Sequence, residues 1–408
     1  MLGRLRILDV APIPICPPGG GSSTRIYHLL RGLSEGHEIR LFSQVRGLGN
    51  RAIPAEVRES ERLLERRNRD LLGAAAAGFC QRSWIRPQSV LSSACMRVTR
   101  PKLLSDWLAW AELALIEFPW QFAYCRRAAP KLPMVFMSHN VEVLTRTSNA
   151  GAAGISVRRS PLLALVRRQE RFALARADLI VCVSQPDRRF FIEQLGVEPD
   201  RTVVIPSGSD TDHVRPVTEQ RRSELRARLG LPAVPTIAFM AGMAKIPDVE
   251  GLKWVRGVAD RHPELGFLVI GGISPAPYRD GNLVATGRVA DPCPYLQACD
   301  AALAPIEFGG GTKLKVFDSL AAGLPTIVFA EAIRGTDLVG GRDVIVAGKS
   351  VDELELAVSE VLHDPARGAE IARAGREFVV AHHDWKAICA QLDAALRRFA
   401  AQAGVSRA

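Results

Sequence analysis

Two series of short apolar runs place the strongest constraint on how this chain can fold. The first series lies at residues 5–10, 37–43, 112–118, 133–139, 178–184 and 202–207. The second lies at residues 236–242, 266–272, 282–287, 300–305, 325–330 and 343–347. Nearly continuous apolar runs are typical of parallel strands that are buried on both faces. Amphipathic stretches between many of the runs supply the helices that connect such strands, so the sequence predicts an α/β fold.

The repetition of this pattern divides the chain into two domains. A chain of 408 residues is too long for one ordinary core, and the strand pattern restarts after residues 206–216. We expect a Rossmann-like domain over residues 1–210 and a second over residues 211–384. A helix over about residues 385–408 is expected to pack back on the first domain. Ligands of open parallel sheets bind beyond the carboxyl ends of the strands, so two facing domains predict a site in an interdomain cleft.

The net charge of +10 belongs entirely to the N-terminal half. Residues 1–212 contain 30 Lys and Arg against 20 Asp and Glu, and the remainder is balanced. The section from Glu56 to Trp107 is strongly basic and is predicted to be mainly helix or loop. Such a charge favours an anionic membrane surface, a phosphorylated acceptor or nucleic acid as partner. No recognition motif accompanies the charge, so we do not expect nucleic-acid binding.

Cysteine and histidine spacing argues against metal and disulfide chemistry. The eight cysteines occur singly, and neither a C-x-x-C pair nor an H-E-x-x-H motif is present. We therefore expect no bound metal and no cofactor. The N-terminal residues fit a buried strand better than a signal peptide, and no apolar run reaches the length of a membrane span. These features predict a cytoplasmic protein.

The segment "LAPIEFGGGTKLKVFDSLAAGLP" at residues 303–325 carries the clearest chemical signal. Its glycines follow a predicted strand, and Thr312 is the expected N-cap of a helix that has Lys313 and Lys315 in its first turn. Cations there are unfavourable by about 0.3–1 kcal/mol each, unless an anionic ligand is bound. Free backbone N–H groups, the helix dipole and the lysines together predict a phosphate site. Asp318, one turn further on, can accept hydrogen bonds from hydroxyl groups.

A tight turn with solvated lysines is the alternative interpretation of this segment. The segment is not a P-loop, because the order is Gly-Thr-Lys and the earlier glycine of that motif is absent. A second glycine loop, "PPGGGSSTRIYHLL", follows the first strand, and its helix is expected from about Thr24 to Ser34. Thr24 replaces the third glycine of a dinucleotide fingerprint, and no acidic residue ends the second strand, so NAD binding is unsupported.

Several motifs, taken in order, resemble one enzyme family. They are "PGGGSSTRIYHLLRGLSEGHEI", "SHNVE", "ARADLIVCVSQPDRRFF", "VVIPSGSD", "FMAGMAKIPDVEGLKWV", "ATGRVADPCPYLQACDAALAPIEFGGGTKLKVFDSLAAGLPTIV" and "HHDWKAICAQL". The chain resembles retaining, nucleotide-sugar-dependent glycosyltransferases of family 4, which have the GT-B fold. The motifs extend over nearly the whole chain, and they leave the particular sugar undefined.

The resemblance implies a donor site in the C-terminal domain. Members of the family often carry two glutamates separated by seven residues, and these positions are Gly310 and Asp318 here. His139 is implied to face the donor sugar, although a structural hydrogen-bonding role is the alternative, and Lys313 is implied to hold the diphosphate. His139 and Lys313 are thus the predicted catalytic residues. The predicted donor-binding residues are Gly20, Gly21, Lys245, Arg288, Val289, Gly310, Gly311, Thr312, Lys313, Leu314, Lys315 and Asp318.

The implied reaction is metal-independent transfer of a sugar, with retained configuration, to a hydroxyl of a glycan, a lipid-linked acceptor or a small molecule. Retention through a covalent intermediate needs a close pair of carboxyl groups, and the sequence offers no convincing pair. The resemblance instead implies front-face substitution, in which the leaving diphosphate helps to remove the acceptor proton. Two alternatives stay open: a catalytically silent GT-B protein that binds a nucleotide sugar or supports a partner, and a sugar-nucleotide 2-epimerase.

The basic N-terminal half is the expected acceptor side. A membrane-facing or anionic surface is predicted from basic residues that flank tryptophans, namely Arg82, Arg86, Arg97, Arg100 and Lys102 with Trp84, Trp107 and Trp110. A second basic run, residues 156–178, has the spacing of an amphipathic surface helix or, alternatively, of a packed helix with a solvated arginine face. Both features predict peripheral binding to the inner face of a membrane.

Overall fold

The computed structural model of this protein describes residues 3–46, 54–70, 91–152, 154, 156, 160–243 and 246–405. Within it the chain forms two compact units. One comprises Met1–Pro206 together with Ile388–Ala408, and the other comprises Ser207–Ala387. Both units are α/β, as the apolar runs predict.

The first unit is built on an eight-stranded sheet. Its strands are β1 (Arg6–Ala11), β2 (Glu38–Arg46), β3 (Glu56–Ser60), β4 (Leu63–Asp70), β5 (Leu113–Glu117), β6 (Met134–Met137), β7 (Leu179–Cys182) and β8 (Thr202–Val204). Its helices are α1 (Gly21–Leu33), α2 (Ser92–Thr99), α3 (Lys102–Trp110), α4 (Phe122–Ala128), α5 (Glu142–Ala152), α6 (Pro161–Arg176) and α7 (Gln185–Leu195). A single 3₁₀ turn, Pro199–Arg201, precedes β8.

The strand order of this sheet is β3-β4-β2-β1-β5-β6-β7-β8. All neighbours are parallel except β3 and β4, which are antiparallel. The order reverses at β1, because β2 lies on one side of it and β5 on the other. A reversal of this kind opens a crevice at the carboxyl ends of the strands. The loop that follows β1 and the residues that follow β5 and β6 therefore lie at this edge.

The prediction of helix or loop for the basic section is wrong over β3 and β4. The strands carry many charged residues, but two of those charges are buried and paired: Arg67 Nη2 lies 2.9 Å from Glu65 Oε2. The Glu65 carboxylate also accepts the backbone N–H groups of Ile15 and Cys16, each at 3.0 Å. Internal pairing lets a strand bury charges that its composition suggests are solvated. Arg82, Trp84 and Arg86 lie outside the described residues.

The second unit contains a seven-stranded sheet. Its strands are β9 (Thr236–Met243), β10 (Gly266–Gly272), β11 (Tyr278–Asp280), β12 (Leu283–Ala285), β13 (Ala301–Ala304), β14 (Thr326–Val328) and β15 (Ile345–Val346). Its helices are α8 (Glu219–Arg228), α9 (Ile246–Ala259), α10 (Cys293–Gln297), α11 (Leu314–Ala321), α12 (Val351–His363) and α13 (Pro365–His382). A 3₁₀ turn at Ala330–Ile333 follows β14.

Both faces of the second sheet are buried, which explains the continuous apolar runs. Along β9, Ile237 and Phe239 pack in one core layer, whereas Ala238 packs in the layer on the opposite face. The strand order is β11-β12-β10-β9-β13-β14-β15, and only β11 and β12 are antiparallel. The order reverses at β9, so the loop after β13 lies at the crevice that this reversal opens.

The last helix, α14 (Trp385–Gln402), begins in the second unit and continues into the first. Within the first unit it packs on α1, where Cys389 Sγ lies 3.3 Å from the His28 carbonyl oxygen. Asp393 lies 2.6 Å from His37 Nε2. Across the described ranges, every helix is too short or too polar to cross a bilayer.

Candidate active site

The glycine loop at residues 305–313 leads from β13 into α11 at the carboxyl edge of the second sheet. The helix begins one residue later than expected: its N-cap is Lys313 and not Thr312. Lys313 has an extended backbone there, with φ −95° and ψ 90°, and no side chain caps the helix. The first turn of α11 therefore has no side-chain acceptor for its backbone N–H groups, which is the condition for anion binding at a helix N-terminus.

The ammonium group of Lys313 folds back into this loop. Its Nζ donates to the carbonyl oxygens of Gly309 at 3.0 Å, Gly310 at 3.2 Å and Gly311 at 2.9 Å. Two of the glycines adopt left-handed backbone conformations, with φ 113° at Gly309 and 67° at Gly311, which residues with side chains rarely adopt. The glycines thus turn their carbonyl groups toward one point, and the lysine holds a positive charge there.

Lys315 has a different role in the structure. Its ammonium forms an ion pair with Asp248 in the first turn of α9, and both side chains are largely buried. The same ammonium lies 5.4 Å from the centre of the Phe239 ring. Lys315 therefore ties α11 to α9, whereas Lys313 faces the glycine loop.

Asp318 follows one turn into α11 and is partly buried. Its carboxylate accepts a hydrogen bond from Ser209 Oγ at 2.7 Å. Burial raises the pKa of Asp318 to about 6, the Ser209 hydrogen bond opposes that increase, and the negative charge of Asp210 adds to it. The preceding residue, Phe317, is fully buried, and its ring stacks on that of His383 at 4.0 Å.

A second group of predicted donor-binding residues lies where β10 and β12 end. Gly271 has φ 118°, and a Cβ there would lie 2.7 Å from the Ala241 carbonyl oxygen, so the strands need a glycine to approach this closely. Gly271 also pairs with Gly287, immediately before Arg288. Arg288 is exposed and Val289 packs against the core. Lys245 lies outside the described residues.

The first unit presents its glycine loop at the start of α1. This helix begins at Gly21, three residues before the expected Thr24, with Gly20 as its N-cap. The early start is due to Ser23, whose Oγ accepts the N–H groups of Gly19 at 2.8 Å and Gly20 at 2.9 Å. Gly20 and Gly21, the two residues predicted to bind the donor, carry no side chain and therefore leave the backbone accessible to a ligand.

His139 lies two residues beyond β6 and is held on two sides. Its Nε2 is 2.5 Å from Glu117 Oε2, and the Phe118 ring stacks on the imidazole at 4.2 Å. His139 and Glu117 are both buried. Glu117 is not among the residues predicted from the sequence, where its signal is limited to being a carboxylate near the end of an apolar run.

The expected acceptor surface is only partly exposed. Trp107 is buried in the core, and Trp110 stacks against Arg40, whose Cζ lies 3.9 Å from the ring centre. Helix α6 buries Val166, Glu170 and Ala173 and exposes Arg167 and Arg168, which agrees with a packed helix that has a solvated arginine face. Arg100, which follows α2, and Lys102, the first residue of α3, are exposed.

Comparison with known sequences identifies relatives that cover part of this chain. The model described as Glycosyltransferase Family 4 matches residues 19–213, and a model described as Glycosyl transferase-like matches residues 252–394. The D-inositol 3-phosphate glycosyltransferase of Corynebacterium aurimucosum is 25% identical over 53% of this chain and 56% of its own length. The GDP-mannose-dependent alpha-(1-6)-phosphatidylinositol monomannoside mannosyltransferase of Mycobacterium tuberculosis H37Rv is 27% identical over 54% of this chain and 62% of its own length. The matches therefore span less than two thirds of these relatives.

Comparison with solved structures extends over nearly the whole chain. Sucrose-phosphate synthase from Thermosynechococcus elongatus has a TM-score of 0.75 at 17% identity, with 98% of this chain and 100% of that chain covered. The Anabaena protein Alr3699/HepE in complex with UDP and glucose has a TM-score of 0.70 at 15% identity, with 97% and 100% covered. These similarities confirm the GT-B fold that the motifs imply.

Proposed function

We infer from the matches over residues 19–213 and 252–394 that the chain belongs to glycosyltransferase family 4, and we propose that it transfers a sugar from a nucleotide-diphosphate sugar to a hydroxyl group of an acceptor. The observation that carries this proposal is the glycine loop after β13. It places a half-buried lysine at the uncapped N-terminus of α11 and a carboxylate within the first two turns of the same helix. That combination offers positive charge for a diphosphate and an acceptor for hydroxyl groups.

The donor would lie with its diphosphate against the glycine loop and the first turn of α11. Lys313 already carries its ammonium at this point, and the N–H groups of Leu314 and Lys315 are available to phosphate oxygens. Asp318 would accept hydrogen bonds from the ribose hydroxyls, and the backbone at Arg288 and Val289 would meet the nucleobase. Gly310 provides no carboxylate for the sugar, so backbone groups of the loop would take that role.

The proposed reaction is a retaining front-face substitution. The leaving diphosphate would take the proton of the acceptor hydroxyl while the bond from the sugar to the phosphate oxygen breaks. The protein would contribute position and charge: Lys313 and the α11 N-terminus stabilise the negative charge that grows on the diphosphate. In this mechanism the lysine and the helix dipole stabilise the charge that a metal ion would otherwise neutralise, so the proposed catalysis needs neither a metal nor a cofactor.

The acceptor is proposed to be a glycan, a lipid-linked sugar or a small polar molecule. The names of the relatives from Corynebacterium and Mycobacterium refer to inositol phosphate and to phosphatidylinositol mannoside. These are polyol acceptors, and the second is anchored in a membrane, which suits the positive charge of the N-terminal half. The cysteines in the described residues are free thiols, and this supports a reducing compartment such as the cytoplasm.

Peripheral membrane binding is part of this proposal and can be tested by vesicle flotation. At low salt, the protein is expected to float with vesicles that contain anionic lipid and to be released as salt screens the attraction. Vesicles of neutral phosphatidylcholine are the control and should retain little protein. Equal flotation with neutral and anionic vesicles would contradict the proposed role of the basic surface.

Calorimetric titration with UDP-, GDP- and TDP-sugars tests the donor site directly. We expect one nucleotide class to bind with a stoichiometry of one per chain, because the diphosphate is assigned to one place, the glycine loop after β13. Sugar 1-phosphates that lack the nucleoside serve as the control and should bind more weakly. If none of the nucleotide sugars binds, the proposed function is wrong.

A further inference from the structure

Three polar residues lie on neighbouring strands near the carboxyl edge of the first sheet. Asp9 lies in β1, Glu117 is the last residue of β5, and His139 follows β6. The three strands are consecutive neighbours in the sheet, with Asp9 opposite Leu115 and Glu117 opposite Met137. The cluster therefore lies where the strand order reverses, which is the place that binds ligands in folds of this type.

The imidazole of His139 is fixed in one orientation. Its Nε2 lies 2.5 Å from Glu117 Oε2, and the Phe118 ring packs flat against it, 14° from parallel. Phe118 has φ 66°, a left-handed conformation that is uncommon outside glycine and that is found more often near functional sites. Nδ1 has no hydrogen-bond partner in the described part of the chain. With Glu117 as its acceptor, Nε2 carries the ring proton and donates it in this hydrogen bond, which leaves Nδ1 for another group.

Asp9 lies behind this pair and is completely buried. Neither of its carboxylate oxygens has a hydrogen-bond donor among the described residues. An isolated buried charge is unfavourable, so such a group takes up a proton instead. Burial is the largest cause that raises the pKa of Asp9 well above its ordinary value, followed by the negative charge of Glu117. Because neither carboxylate carries a donor, the two groups can hydrogen-bond only when one of them is protonated.

Two further charged groups act on this cluster. Glu65 on β4 also raises the pKa of Asp9, but its own oxygens are occupied by Arg67, Ser43 and backbone N–H groups. Arg25 on α1 is buried and donates to the carbonyl oxygens of Ile205 at 2.7 Å and Pro206 at 2.5 Å. Burial lowers the pKa of Arg25 to about 10, and the charge of Glu117 opposes that change. Arg25 therefore remains a cation that compensates one negative charge.

We propose that Asp9 and Glu117 share one proton and together position His139, so that its Nδ1 faces the substrate. Protonated Asp9 donates its O–H to one oxygen of ionised Glu117, and the other oxygen of Glu117 accepts the Nε2 proton of His139. Nδ1 is then an acceptor for a sugar hydroxyl. Only the identity of that ligand rests on the proposed function. Asp9 and Glu117 are positioning residues, because they act through the histidine.

The test is ¹⁵N NMR of the ring nitrogens of His139 in the full chain without substrate, with His139→Asn used to assign the resonance. We expect the wild-type ring to carry its proton on Nε2. Glu117→Gln should move the titration midpoint of the ring to lower pH by about one unit or more, because it removes the partner charge. Asp9→Asn should leave that midpoint unchanged, because an asparagine amide donates to Glu117 as the protonated acid does.

Three outcomes would overturn the proposal. They are a ring proton on Nδ1 in the wild type, an unchanged midpoint in Glu117→Gln, and a decrease in Asp9→Asn as large as that in Glu117→Gln. The last of these would mean that Asp9 is itself ionised. The wild-type and Asp9→Asn measurements stand even if Glu117→Gln does not fold. Because no substrate is present, failure here is distinguishable from failure of the proposed reaction, which the donor titrations decide.

Discussion

Replacing Lys313 with alanine is expected to lower kcat/KM for the donor sugar by about 10²–10³-fold. The ammonium of Lys313 lies at the uncapped N-terminus of α11 and donates to three carbonyl groups of the glycine loop. Alanine removes that charge and leaves the three carbonyl groups without their donor. Steady-state kinetics on donor hydrolysis or transfer measures the change, and thermal unfolding checks that the fold survives.

Two other lysines in the same unit separate this effect from a general loss of charge. Lys253→Ala removes an exposed ammonium that pairs with Glu250 and should leave kcat/KM unchanged. Lys315→Ala leaves Asp248 largely buried without its partner, so its main effect should be a lower free energy of unfolding. Equal losses of kcat/KM in Lys253→Ala and Lys313→Ala, or no loss in Lys313→Ala, would contradict the assignment of Lys313 to the donor site.

Asp318→Asn is expected to make the protein more stable and its nucleotide binding weaker. The pKa of Asp318 is about 6 in the folded protein against an ordinary 3.8. The folded protein therefore retains a proton that the unfolded chain releases, and relative stability is lost as the pH rises from about 4 to about 6. Above that range, ionised Asp318 costs about 3 kcal/mol that a neutral asparagine avoids. Urea unfolding at pH 4 and pH 8 measures the difference, which should be present only at pH 8.

Nucleotide affinity should change in the opposite direction. Ionised Asp318 accepts stronger hydrogen bonds from ribose hydroxyls than an amide does, so Asp318→Asn should weaken binding about 10–100-fold above pH 6. Asp343→Asn is the matched control: burial raises the pKa of Asp343, but Arg342 and the Val339 N–H outweigh it and hold that pKa below its ordinary value. Asp343→Asn should therefore lose stability and keep its affinity. A loss of stability in Asp318→Asn at pH 8 would contradict the assignment.

The sequence predicts the architecture well because the constraint is simple. A run such as residues 266–272 is apolar at every position, since alternate side chains of β10 pack in two different core layers. The position of the glycine loop after β13 follows from the same pattern, because a loop that leaves a parallel strand lies at the carboxyl edge. The fold and the position of the glycine loop are thus set by local patterns that the sequence displays.

The features that the sequence did not predict depend on partners distant in the chain. The charged residues of β4 gave no strand signal, because Glu65 is buried only through contacts with Ile15, Cys16 and Arg67. The proximity of Glu117 and Asp9 to His139 depends on the order of β1, β5 and β6 in the sheet, which the sequence does not display. The two lysines of α11 look equivalent in sequence, and only tertiary contacts assign one to the glycine loop and the other to Asp248.

The central claim, that this chain consumes a nucleotide sugar, is tested most directly by a ¹H NMR time course of the donor that binds. We expect the anomeric signal of the donor to decay as nucleoside diphosphate is released. The first sugar product should have the same anomeric configuration as the donor, and Lys313→Ala should slow the decay at least about 100-fold. A donor that binds one per chain and remains intact, with and without polyol acceptors, would contradict the proposed transfer reaction and identify a silent nucleotide-sugar-binding protein.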